Sequence, residues 1–236
     1  MQERSERTRN RLLAAAAEVI DKYGYADATM SDISRYAQVT KGALYFHFAS
    51  KTELAQQVQQ RSCDLLNVTI EELRGANASA LQTLIDLTHS LACWMSAEPT
   101  VRASLRIGRE RAGREQEVID YHFACVSAAW RLLRQARAER VLHEGVAQED
   151  AETLVAALIA GTEATAWRGV PYREVAAQAT SMWSLLLSVL VRAEAQEELR
   201  TTPPACDGEG GPPPDVCCAP GRAPADGTSA GRGPAG

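Results

Sequence analysis

No apolar run in this 236-residue chain approaches the roughly 18 residues that a membrane-spanning helix requires; the longest candidate, Met182 to Val191, is about half that. Its opening, MQERSERTRNR, is charged from the start, which is not the pattern of a secretory signal. Six cysteines are too few for this length to staple a fold together, so reduced thiols and a cytoplasmic location are expected. Also missing are a glycine-rich phosphate loop and a strand-to-helix nucleophile elbow. His89 and Cys93 lie one helical turn apart, as do His122 and Cys125, and such pairs could hold a metal or activate a thiol. Neither has a third and fourth ligand at suggestive spacing, so no metal, cofactor or enzymatic activity is expected.

What is present describes a globular protein: 45% apolar residues and 23% charged ones, with enough length to bury a sizeable core. The net charge of -5 argues weakly against nucleic acid, but it is unevenly spread. Residues 1–51 hold eight Lys/Arg against six Asp/Glu, and Arg35 to Lys51 contains no acid at all. Because ordinary salt screens charges beyond about 10 Å, that local field matters more to a phosphate backbone than the total does.

The first stretch reads as short helices. Leu12, Leu13, Ala16, Val19, Ile20 and Tyr23 mark one face of a helix that ends at Gly24. Thr29 and Asp32 have capping-box spacing and open a brief helix burying Ile33 and Ala37. Gln38 and Val39 form a turn, Thr40 caps a second short helix carrying Leu44 inward, and Ser50 with Glu53 opens a longer one. Alanine and leucine dominate the chain from there to about Ala195, with no β-branched alternation, so the fold class expected is all-α. Residues 201–236 contain eight prolines and eight glycines and are expected to be a disordered tail that can be cut after Arg200 without loss of stability. The divisions expected are therefore 1–50, 51–200 and 201–236.

Two short helices joined by a tight turn suit the reading of duplex DNA, since the second can enter a major groove about 12 Å wide while the first braces it. Thr40 caps that second helix and offers donors to a phosphate, and Gly42 leaves room for close approach. Lys41 is assigned to a base edge or phosphate, Tyr45 to a phosphate or thymine methyl, and His47 and Lys51 to phosphate. Phe48 is read as a core aromatic, and Phe46 leans the same way. Arg4, Arg7, Arg9 and Arg11 form an arm that could follow the DNA backbone or be a solvated helix face.

The run Thr29-Met30-Ser31-Asp32-Ile33, followed by Ala37 to Phe48 and by Ser50-Lys51-Thr52-Glu53-Leu54, closely resembles the DNA-binding domain of the TetR family of repressors. The remainder is similar to the γ-butyrolactone receptor branch of streptomycetes through Val101 to Arg106 after Pro99, the Gly161-Thr162 pair, and Met182-Trp183. This resemblance implies an all-helical homodimer with an N-terminal three-helix reading domain, where Thr29 joins the DNA contacts, and a C-terminal ligand-binding and dimerisation domain. It further implies release from a palindromic operator by a small apolar effector, with antibiotic production under control. Receptors of this branch carry a proline and a pocket-lining tryptophan at places that fall here on Asp120 and Ala124. That departure is closer to the pseudo-receptors of the branch, which respond poorly to butyrolactones and in several cases respond to the antibiotics of their own producer.

Candidate cavity residues are Leu84, Thr88, Leu91, Phe123, Val126, Trp130 and Trp167, all of which could equally be ordinary core. For the dimer interface the candidates are Leu158, Gly161, Trp183 and Leu187. Filling the cavity would push the helix from Pro99 to Arg111 against the first domain. The cluster Arg102, Arg106, Arg109, Arg111 and Arg114 could contact that domain, support an anionic ligand, or be a solvated face paired with Glu110, Glu115 and Glu117.

Overall fold

A computed structural model describes residues 2–77, 79–111 and 120–204, and the regular elements among them are helices. Arg114, Glu115, Glu117 and the tail from residue 205 lie outside the described residues. Helix α1 (Gln2–Tyr23) begins earlier than its apolar stripe. Gly24 ends it at a φ of 93°, which favours glycine because a Cβ is crowded in that left-handed region.

Three caps then set the short elements. Thr29 opens α2 (Met30–Tyr36), Thr40 opens α3 (Lys41–His47) and Ser50 opens α4 (Lys51–Ala76), each side-chain oxygen accepting the backbone N–H three residues on. The reciprocal half of each expected capping box differs. Asp32 accepts the Thr29 hydroxyl at 2.5 Å instead of a backbone N–H, and Glu53 accepts from Ala49 N, one residue before the cap. Gln38 makes the turn between α2 and α3 at a φ of 53°.

The bundle continues with α5 (Ala80–Ala97), α6 (Pro99–Arg111), α7 (Tyr121–Ala138), α8 (Gln148–Trp167), α9 (Tyr172–Leu190) and the single turn α10 (Ala193–Gln196). Two apolar cores result. The first joins Leu12, Ala16, Ile20, Ile33, Leu44 and Phe48 to Leu54 and Val58 of α4. The second joins the far end of α4, from Leu66, to α5, α7, α8 and α9. Helix α6 is shared between them: Ala103 and Ile107 enter the first core while Val101 and Leu105 enter the second. Any movement of α6 is therefore felt in both.

Candidate functional site

Helix α3 is pinned by two side chains and displays the rest. Leu44 and Phe48, four residues apart on one face, are buried in the first core. Lys41, Gly42, Tyr45 and Phe46 face solvent, and His47 is half-buried with its ring edge against Phe46 at 5.3 Å. Phe46, expected to lean inward, is 82% exposed because the Leu44/Phe48 face already fills the space behind the helix. Gly42 has nothing nearer to its Cβ direction than the Thr40 hydroxyl at 4.0 Å, so the entrance of the helix is open to an approaching surface.

The basic residues around this helix divide into those displayed and those used internally. Arg9 donates to Gln57 at 2.6 Å and lies over the Phe48 ring, while Arg11 donates to the Ala37 carbonyl at 2.6 Å and so ties α1 to the turn. Lys51, expected on phosphate, is turned to the protein: its ammonium donates to the Ala26 carbonyl at 2.9 Å and sits 4.5 Å from the Tyr25 ring centre. Burial holds its pKa below the ordinary lysine value, against the opposing fields of Glu110 and Asp27. Thr29 is an exposed cap, and Lys41 and Tyr45 remain outward.

Three of the expected cavity residues converge. Leu84, Thr88 and Leu91 line a small apolar cavity together with Leu66, Trp94 and Cys125. Its volume of about 10 Å³ is room for roughly one water molecule. Trp183 lies against it, donating its indole N–H to the Thr88 hydroxyl at 2.7 Å. The other four are placed elsewhere. Phe123 is exposed, Val126 packs in the second core away from the cavity wall, and Trp130 donates to the Glu152 carbonyl between α7 and α8. Trp167 lies under the Arg106 and Arg109 guanidiniums at 5.9 and 4.9 Å. The missed wall is Trp94, whose position continues the 84, 88, 91 stripe by one more step.

Of the expected interface residues, Leu158, Trp183 and Leu187 are buried within the protomer. Gly161 is half-buried, with open space beyond its Cβ direction. The large exposed apolar residues of the same two helices are Leu154 and Trp167 on α8 and Leu185 and Val189 on α9. At the start of α7, Asp120 acts as the N-cap by accepting from Phe123 N, and Ala124 is half-buried against the second core.

Comparison with known proteins places this geometry. Residues 12–58, which contain α2, α3 and the turn between them, match the family described as bacterial regulatory proteins, tetR family. Those residues form a DNA-binding domain of the TetR type. Its similarity to the A-factor receptor protein of Streptomyces griseus is 38% identity over 109 residues. That stretch is 46% of this chain and 37% of the receptor's length. The TetR family protein CprB from Streptomyces coelicolor, solved in complex with its biological operator sequence, superposes with a TM-score of 0.70 at 27% identity, covering 83% of this chain and 94% of that one. A gamma-butyrolactone receptor described as ArpA-like gives a TM-score of 0.67 at 26% identity, covering 83% and 93%.

The junction between this first domain and the bundle is held by arginines. Arg102 pairs with Asp21 at 2.8 Å, and Arg106 donates to the Asp21 carbonyl at 2.7 Å and to Glu110 at 2.9 Å. Glu110 in turn accepts from Ala26 N at 2.8 Å. Arg111 lies 5.2 Å from the Tyr25 ring centre. Of the three roles open to the arginine cluster, contact with the first domain is thus the one Arg102, Arg106 and Arg111 make, whereas Arg109 lies over Trp167. Beside them an open cleft of about 720 Å³ runs between Asp21, Arg102 and Trp167. No three or more His, Cys, Asp or Glu gather to hold a metal, and no helix is long and apolar enough to cross a membrane, among the described residues.

Proposed function

We propose that this chain acts as a homodimer that binds a palindromic operator through α3 and leaves it when a small apolar effector expands the cavity around Thr88 and Trp94. The carrying observation is the displayed face of α3. Thr40 is the cap, Lys41, Gly42 and Tyr45 face outward, and Leu44 and Phe48 fix the helix to its core. A scaffold protein has no need of that polar set on one capped helix. Two copies would place their α3 helices about one duplex turn, roughly 34 Å, apart, which is why the operator should be palindromic.

At about 10 Å³ the cavity is too small for an effector, so ligand entry must enlarge it. A ligand that enlarges it must separate the helices around α5, and α6, which shares both cores, carries that displacement to α1. Release follows only if the ligand prefers the expanded state. An apolar antibiotic or biosynthetic intermediate is the proposed effector class, because Asp120 and Ala124 stand where receptors of the branch have proline and tryptophan. A butyrolactone autoregulator is the second reading, favoured by the similarity to the A-factor receptor.

Selection of binding duplexes from a random pool by the purified protein tests the DNA reading, and a palindrome is the expected outcome. Lys41→Ala should then weaken binding by about 1–3 kcal/mol and relax preference at one base pair if it reads a base edge. A pool that emerges unenriched would refute the reading. Titration of the selected complex with butyrolactones and with producer extracts separates the two effector classes.

A further inference from the structure

Helix α5 is buried on every side although one of its faces is polar. Residues Ala80 to Met95 are buried except Gln82, which is half-buried. At about 100° per residue, Leu84, Thr88 and Leu91 face the cavity, while Gln82, Asp86 and His89 lie on the opposite side. What covers that polar side is the chain after α10.

There Gln82 makes a reciprocal pair with the Arg200 backbone, donating to its carbonyl at 3.1 Å and accepting from its N–H at 2.8 Å. One guanidinium nitrogen of Arg200 reaches both oxygens of the Asp86 carboxylate at 2.9 Å. His89 donates from Nε2 to the Thr201 carbonyl at 2.7 Å, and the Ser184 hydroxyl of α9 lies 3.4 Å from the Thr201 hydroxyl. The strap therefore spans α5 and α9 on the outside. On the inside, Trp183 and Thr88 join the same two helices at 2.7 Å. Asp86 also takes the Asn77 and Gln82 side-chain amides, but Arg200 is the cation it contacts, and its side chain is 2% exposed. Removing Arg200 alone would leave a buried carboxylate without its countercharge, a strongly unfavourable state.

A cavity of about 10 Å³ is far from the roughly 300 Å³ at which small-molecule pockets begin. Enlarging it by moving α5 away from α9 breaks the inner hydrogen bond and must also strain the outer strap. We propose that residues Leu199 to Pro204 form a clasp that sets how readily the effector cavity opens, with Arg200, Asp86 and Gln82 as its positioning residues. The proposal rests on the reading of this cavity as the effector site. It assigns the start of the C-terminal segment a role in ligand admission that the reading domain and the cavity wall do not supply.

The test uses the full chain carrying Asp86→Asn with Arg200→Gln, which unclips the strap without stranding a charge. Two readouts are taken, amide hydrogen exchange by mass spectrometry and binding of 1-anilinonaphthalene-8-sulfonate. Expected are an increase of about tenfold in exchange across residues 84–91, unchanged exchange in α1 to α3, and dye binding at least about fivefold tighter. Arg200→Lys, which keeps the charge on Asp86, should stay close to the parent. Should the double variant fail to fold, Gln82→Ala removes two strap hydrogen bonds and should give the same pattern at smaller amplitude. Exchange that stays unchanged in α5, rises equally in both cores, or rises without tighter dye binding would overturn the clasp. Failure of the DNA reading would appear separately, as absence of duplex selection, and leaves both readouts intact.

Discussion

Gly24 does more than stop α1. A Cβ built there would sit 2.8 Å from Glu110 Oε1 and 3.0 Å from an Arg106 nitrogen, in a left-handed conformation at φ 93°. Gly24→Ala should therefore cost about 1–3 kcal/mol in urea unfolding, from backbone strain and from displacement of the Arg106–Glu110 pair that holds α6 to the first domain. A loss below about 0.5 kcal/mol would mean the junction yields freely. The residues legible in the sequence were those whose role is local: Thr29, Thr40 and Ser50 cap helices using atoms three positions away. Lys51 and Phe46 were not legible in this way. Lys51 is claimed by Tyr25 and Ala26, some 25 residues distant, and Phe46 is pushed outward by a core that Leu44 and Phe48 already fill. Spacing alone carries no information on such partners.

At the scale of elements, helix positions were legible and helix faces only partly so. Leu154, Leu158, Gly161 and Thr165 recur at helical spacing as one stripe on α8, yet Leu158 points into the core while Leu154 is exposed and Gly161 is half-buried. The stripe mixes two faces because alanines on either side give no contrast. The same ambiguity hid Trp94 on α5, which is apolar on a wide arc. A cut after Arg200 also looked harmless from composition, whereas Thr201 is tied to His89 and Ser184. Polar partners between elements give this scale a pH signature. His122 on α7 is bonded to the buried Glu163 of α8 at 2.9 Å, and that hydrogen bond, outweighing desolvation, raises its pKa above 6.5. Its stabilisation is full below the unfolded value and is lost as pH rises through the higher folded one. His89 runs the other way: burial lowers its pKa, so the neutral ring is favoured and stability falls as pH drops from 6.5 through the folded value. Thermal melts from about pH 5 to 8.5 should show His122→Gln flattening the alkaline side alone, with the acid side preserved. An unaltered alkaline slope would exclude the pair as its source.

For the whole molecule the question is which surface meets a second copy. Helix α8 shows Leu154, Ala157, Gly161 and Ala164 outward, and α9 shows Ser181, Leu185 and Val189; Leu185 is 72% exposed. Small residues on α8 allow close helix approach, and the α9 side chains supply apolar area that a lone protomer leaves in water. The strap touches α9 through Ser184 and leaves Leu185 and Val189 uncovered, so the clasp and the interface can operate together. Because no heavy atom lies within 4 Å of a Cβ at Gly161, Gly161→Arg should leave helicity and the protomer's melting behaviour nearly unchanged. Between two copies the same side chain would bury a charge, and sedimentation at micromolar concentration should show monomer where the parent is expected to be a dimer. Binding to a full palindrome should then fall by at least about tenfold, while binding to isolated half-sites changes little, since α3 is untouched. A Gly161→Arg chain that still sediments as a dimer would move the interface off this face, and with it the spacing on which the proposed palindromic operator depends.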